Sequence, residues 1–175
     1  MWRGRGRALS GGSEPGDLFG RYGRRMPLNP GDKAPALKLT DQAGNTVQLK
    51  DFQGQKVFIF FYPKADTPGC TTQACGMRDV LGDIGEIVVL GVSPDLPAKQ
   101  AKFDEKYGLG FPLLSDEDHA LAEAYGVWGE KSMYGKKYMG IVRSAFLIDE
   151  SGRIAEAWLK VSPKDTPANL LKTLA

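Results

Sequence analysis

Six consecutive apolar or aromatic residues, Val57-Phe58-Ile59-Phe60-Phe61-Tyr62, stand out from an otherwise mixed pattern. A run this short, rich in β-formers and without alternation, predicts a strand covered on both faces inside an α/β sheet. Pro63 stops it. Glu86 to Ser93 forms a second such run. Between the two, Thr67-Pro68-Gly69-Cys70 reads as a helix start, with Thr67 as the N-cap and Pro68 at the first helical position, and the helix extends to about Gly82. Strand, helix and strand in this order predict a right-handed βαβ unit.

Upstream, the turn-rich Asn29 to Pro35 precedes alternating Leu37 and Leu39. The turn Asp41-Gln42-Ala43-Gly44-Asn45 then leads to Val47 and Leu49, which together predict an N-terminal β-hairpin. Downstream, Pro97 to Tyr107 is an amphipathic helix ended by Gly108, Phe111 to Leu114 a short strand, and Asp116 to Tyr125 a short helix. His119 falls there in an acidic turn, a poor setting for a catalytic role. Gly129 to Gly140 is glycine- and lysine-rich and supports no regular element; its Lys131, Lys136 and Lys137 read as a solvated face. Ile141 to Ile148 and Arg153 to Trp158 flank Asp149-Glu150-Ser151-Gly152, a hairpin signal, and Pro163 to Leu174 closes the chain as a helix.

With 175 residues, 42% hydrophobic and 25% charged, the chain fits one soluble domain, and no run approaches membrane-spanning length. Residues 1–25 differ: six arginines face only Glu14 and Asp17 among many glycines. Without them Lys plus Arg falls from 23 to 17 and Asp plus Glu from 21 to 19, so the formal charge changes from +2 to −2. The folded part is therefore no polyanion binder on charge grounds, and no nucleic-acid partner is expected. Residues 1–28 read as a disordered Arg/Gly-rich leader before a domain spanning 29–175. The leader is a start assigned too early, with Met26 the alternative, a solvated tail, or an organelle transit segment; it lacks the apolar core of a secretion signal.

Two cysteines in a chain this long make no disulfide scaffold and fit a reducing cytoplasm. Cys70 is predicted among the free N–H groups of a helix start, where the helix dipole favours an anion and hence the reactive thiolate. The competing reading is a small buried apolar cysteine. Cys75 follows five residues on. On one regular helix the two lie roughly 8.5 Å apart at Cα, too far for a disulfide unless the helix unwinds. With one histidine in the chain and no zinc-type spacing, no metal site is expected.

The order of elements is that of a thioredoxin-like α/β fold, a mixed central β-sheet flanked by helices. Pro63-x-x-x-Thr67-x-x-Cys70 resembles the active-site signature of peroxiredoxins, and Cys75 resembles the second cysteine of the bacterioferritin-comigratory or PrxQ-type branch. The resemblance runs from Pro30 to Leu174 and includes Phe60-Phe61-Tyr62-Pro63, Gly91-Val92-Ser93-Pro94-Asp95, Tyr134-Gly135-Lys136 and Arg143-Ser144-Ala145-Phe146. It implies a peroxidatic Cys70 and a resolving Cys75. Thr67, Arg143 and the backbone near Gly69 would complete the pocket that Pro63 shields.

It further implies reduction of hydrogen peroxide and organic hydroperoxides through a Cys70 sulfenic acid and a transient Cys70–Cys75 disulfide. Thioredoxin or a similar dithiol would recycle a monomer that needs no cofactor. Ala145, where the family usually has Thr, and Met77, where an aromatic is common, depart from the pattern. Without the resemblance, Arg143 reads as a surface ion pair and Thr67 as a plain cap. Two rival classes are a thiol–disulfide oxidoreductase, which would carry Cys-x-x-Cys, and a redox-sensing or binding module, which would need the thiol alone.

Overall fold

The computed structural model describes residues 28–175; the leader up to residue 27 and the alternative start at Met26 lie outside the described residues. In chain order the elements are β1 (Lys38–Thr40), β2 (Thr46–Gln48), a 3-10 turn (Leu49–Phe52), β3 (Val57–Phe61), α1 (Pro68–Val80), β4 (Val88–Ser93), α2 (Pro97–Tyr107) and β5 (Leu113–Ser115). They continue as α3 (Ala120–Ala124), β6 (Trp128–Met133), β7 (Lys136–Ile141), β8 (Ser144–Ile148), β9 (Ile154–Trp158) and α4 (Asp165–Leu174). Seven strands form one sheet in the order β2-β1-β5-β4-β3-β8-β9, and β6 and β7 form a separate pair.

β3 is paired along both edges. It runs parallel to β4, with Phe58 opposite Val89, and antiparallel to β8, with Phe58 opposite Leu147. Residues 57–62 are each at most 1% exposed. Because successive side chains point to opposite faces, they feed two cores. Val57, Ile59 and Phe61 pack with Leu90, Val92, Phe146 and Tyr125 on one face. Phe58, Phe60 and Tyr62 pack on the other with Cys70, Ala74 and Met77 of α1, Phe103 of α2 and Leu170 of α4. Each large apolar side chain so buried contributes about 1.5–3 kcal/mol. The strand therefore nails the start of α1 to the middle of the sheet, with Cys70 itself in the second core.

The sequence expectations hold for the first hairpin, the βαβ unit, the β8–β9 hairpin and the last helix; three stretches differ. The helix expected over 116–125 is confined to Ala120–Ala124. The buried Asp116 carboxylate accepts hydrogen bonds from the backbone of Leu121 and Ala122, and His119 adopts φ 50°, so the backbone reverses just before the helix. The stretch 129–140, expected to be irregular, is the β6–β7 hairpin, with Lys131 opposite Tyr138. Its turn is Tyr134-Gly135, and both residues have positive φ (51° and 77°), the geometry that matches strand twist. A tyrosine in place of the usual Asn or Asp hid that turn.

Finally, Ile141 to Ile148 is two strands, not one. Between them Val142 N–H bonds the Val127 carbonyl and the Arg143 carbonyl accepts from Val161 N–H, so Val142-Arg143 leaves the ladder and the arginine is free to turn toward α1.

Gly91 in β4 lies under this packing: a Cβ there would stand 3.0 Å from Leu113 Cδ2, 3.1 Å from Phe60 Cζ and 3.2 Å from Tyr62 Cε1. None of these belongs to a flexible chain end in open space. Gly91→Ala is expected to destabilise the fold by about 1–3 kcal/mol through overpacking. A urea titration checks it; an unchanged midpoint would show that the core gives way without cost.

Candidate active site

The connection from β3 to α1 is held by a buried polar chain. Tyr62, wholly buried, donates its phenol proton to Gln100 Oε1 of α2 at 2.5 Å; Gln100 Nε2 in turn donates to Ser93 Oγ (2.9 Å) and the Leu114 carbonyl (3.1 Å). Ser93 Oγ donates to Asp95 Oδ2 at 2.7 Å, and the same oxygen accepts the Ala65 N–H at 2.7 Å. Burial pushes the Tyr62 phenol far above its ordinary titration range, so it stays a donor. One residue on, Asp66 takes the left-handed conformation (φ 59°), and its carboxylate is held by Lys106 Nζ and the Tyr107 hydroxyl at 3.1–3.2 Å. The loop before the cysteine is thus tied to β4 and to α2.

Thr67 occupies the N-cap position and its carbonyl accepts the first helical bond, from Thr71 N–H at 2.8 Å. Its hydroxyl does not cap the helix as expected. It donates to the Lys64 carbonyl at 2.8 Å, and its lone pairs remain to accept a bond from a ligand. Pro68 opens the helix, and Pro63 is half-buried beside the loop.

Cys70 is 1% exposed, and its Sγ accepts a hydrogen bond from Arg143 Nη2 at 3.4 Å. Gly69 makes that approach sterically feasible, since a Cβ there would stand 3.1 Å from the same nitrogen. The other arm of the guanidinium, Nη1, donates to Gln73 Oε1 at 2.5 Å. Gln73 is fully buried, and its amide donates onward to Thr166 Oγ1 of α4 at 2.8 Å. Thr166 donates to the Ser162 carbonyl at 3.0 Å. Arg143 therefore binds a sulfur and an amide, not the surface carboxylate that its sequence context suggested. Gln73 was missed. The available signal was a polar residue three positions after Cys70, on the helix face that also carries the buried Ala74 and Met77.

Cys75 is half-buried further along α1, and both thiols are free. With both on one uninterrupted helix they are outside disulfide range. Next to Cys75, α1 packs closely on α4: a Cβ on Gly76 would stand 3.0 Å from Pro167 Cγ. The structure thus brings together Gly69, Cys70 and Arg143, with Thr67 at the N-cap of the same helix, and leaves Cys75 apart. His119 belongs elsewhere, stacked on Trp128 at 3.8 Å with a 4° tilt, its Nδ1 3.7 Å from Glu123 Oε1. A cleft of about 540 Å³, lined by Ala34, Phe52, Val57 and Ile148 among others, opens at the far end of β3 and touches none of these residues.

A mixed sheet with helices on its faces, with a cysteine on the first turn of α1 under an arginine, places the chain in the thioredoxin-like fold class. The AhpC/TSA family matches residues 30–157, and the chain belongs to that family, among its Bcp/PrxQ peroxiredoxins. It is 56% identical over 130 residues to the peroxiredoxin Bcp of Escherichia coli K12 (73% of this chain, 83% of that protein). Against the peroxiredoxin Bcp of Bacillus subtilis it is 50% identical over 151 residues (85% and 96%). Among solved structures, the bacterioferritin comigratory protein of Xanthomonas campestris, studied for alkyl peroxide reduction, superposes with TM-score 0.77 at 37% identity, covering 83% of this chain and 97% of that one. These relatives support thiol peroxidase activity.

Replacing Gln73 by Met keeps its volume but removes the anchor of the guanidinium. Misplacement of a transition-state donor by an ångström costs on the order of 10²-fold, so the reaction of reduced protein with hydrogen peroxide should slow by about ten- to a hundredfold. Stopped-flow fluorescence checks this, with circular dichroism confirming the fold; a parental rate would mean that Arg143 positions itself.

Proposed function

We propose that Cys70 is the peroxidatic cysteine of a thiol peroxidase for hydrogen peroxide and organic hydroperoxides, and Cys75 its resolving partner. The observation that carries the reading is the Arg143 fork, one N–H on Cys70 Sγ and the other on Gln73. The thiolate attacks the terminal oxygen of the hydroperoxide; an S–O bond forms, the O–O bond breaks, and the alkoxide or hydroxide that leaves takes up a proton. Negative charge thereby moves from sulfur to the leaving oxygen. A guanidinium already within hydrogen-bond distance of the sulfur stabilises both ends of that movement. Thr67, with its own proton on Lys64, accepts the hydroperoxide O–H, the Gly69 and Cys70 backbone lends donors, and Pro63 limits water. The alkyl peroxide chemistry named for the Xanthomonas campestris relative supports organic hydroperoxides as substrates.

The Cys70 sulfenic acid then condenses with the Cys75 thiol, releasing water and forming the disulfide. That step needs α1 to unwind, which breaks the Gln73–Thr166 and Gln73–Arg143 bonds and the Gly76–Pro167 contact. A thioredoxin-like dithiol then reduces the exposed disulfide by exchange and is itself oxidised, returning both thiols. A monomer in the reducing cytoplasm suffices for the cycle. Overoxidation competes with unwinding, so a more stable α1 makes a more peroxide-sensitive enzyme.

Intact-mass measurement after about one equivalent of hydrogen peroxide tests the reading. The parent is expected to lose two hydrogens as the Cys70–Cys75 disulfide, and Cys75→Ser to gain one oxygen or more. Unchanged mass on a timescale of minutes would instead favour a redox-sensing or binding module.

A further inference from the structure

One charged side chain near the thiol has no part in this cycle. The β6–β7 hairpin carries three lysines. Lys136 and Lys137 are exposed, as the sequence suggested for all three, but Lys131 turns inward. Its stem crosses Gly140, where a Cβ would stand 3.1 Å from Lys131 Cδ, and its ammonium donates to the Ile141 carbonyl at 2.8 Å. Ile141 is the last residue of β7, two before Arg143. Partial burial and the positive charge of Arg143 both lower the Lys131 titration, while Cys70 opposes them. The ammonium is fixed on the carbonyl two residues before Arg143, whose Nη2 lies 3.4 Å from Cys70 Sγ.

A half-buried ammonium beside a guanidinium is unfavourable by itself. The carbonyl dipole it binds offsets part of that cost, and a thiolate at Cys70 would offset more. The glycine that admits the lysine stem, the carbonyl that fixes its head and the arginine two residues on belong to one segment, so the placement is built rather than incidental. We propose that Lys131 is a positioning residue for the Cys70 thiolate: anchored on Ile141, it braces the segment that delivers Arg143 and adds a second positive charge to the field at the sulfur. This rests on Cys70 being the reacting thiol. The other titratable groups near the thiol are Arg143, the buried phenol of Tyr62 and, along α1, Cys75. Around Lys131 stand Tyr138 across the strand and the Glu130–Lys137 ion pair.

The test is iodoacetamide alkylation of Cys70 across pH in a Cys75→Ser background, with hydrogen peroxide consumption of the Cys75-containing proteins measured in parallel. Lys131→Met keeps the stem and removes the charge. It should alkylate about three- to tenfold more slowly near neutral pH and within about twofold of the parent near pH 9.5, about a unit above the ordinary cysteine value. Lys131→Gln, which keeps a donor for Ile141 but no charge, should show the same pH-dependent loss; Lys131→Arg should stay near the parent, as should Lys136→Met on the exposed strand. The Gln and Arg pair decides the matter if the Met variant does not fold. The proposal fails if neutral variants follow the parental profile, or if their loss is equal at every pH, as a purely structural role requires. A lysine-dependent alkylation profile in a protein that does not consume peroxide would overturn the peroxidase reading and leave Lys131 standing.

Discussion

Arg143 reaches Cys70 only through a gap in two secondary structures at once. On the strand side, Val142 and Arg143 leave the ladder between β7 and β8 because their backbone groups bond to Val127 and Val161 instead. On the helix side, Gly69 leaves room for Nη2 at the first turn of α1. A side chain at position 69, or an unbroken strand through 142–143, would move the guanidinium off the sulfur. The geometry is then locked by Gln73 and Thr166, which hold the second arm of the fork and tie it to α4.

In the proposed cycle the same bonds give the site a built-in conflict. Attack on a peroxide wants a buried, fixed sulfur with donors already in place, and an intact α1 supplies that. Resolution wants Cys70 and Cys75 in bonding range, which an intact α1 forbids. Gln73 sits on the fault line, since it holds Arg143 while α1 is folded and would be withdrawn by the proposed unwinding. The loop on the other side of the cysteine is held more firmly, Asp66 by Lys106 and Tyr107 and Ala65 by Asp95.

Much of the fold was legible because its signals are local. Six apolar residues in a row need two covered faces wherever they occur, and Thr67-Pro68-Gly69 starts a helix by its own backbone preferences. The β6–β7 hairpin was not legible, because its register is set by cross-strand pairing and its turn uses Tyr134 in a conformation that glycine or asparagine usually takes. Nor was the split at Val142-Arg143, because the partners of those two residues lie at Val127 and Val161, remote in sequence.

The same division holds at the site. The sequence alone determined that a cysteine stands on the first turn of a helix behind a buried strand and that a second cysteine is out of its reach, and family resemblance pointed to Thr67 and Arg143 as its neighbours. Tertiary structure alone decided that the Thr67 hydroxyl turns to Lys64, that Gln73 holds Arg143, and that Lys131 points inward while Lys136 and Lys137 do not. Backbone propensity acts over a few residues and can be read along the chain. The direction of a long polar side chain is set by which donors, acceptors and charges the folded chain brings within a few ångströms of it, and at this site those come from segments as distant as Gln73 and Thr166, 93 residues apart.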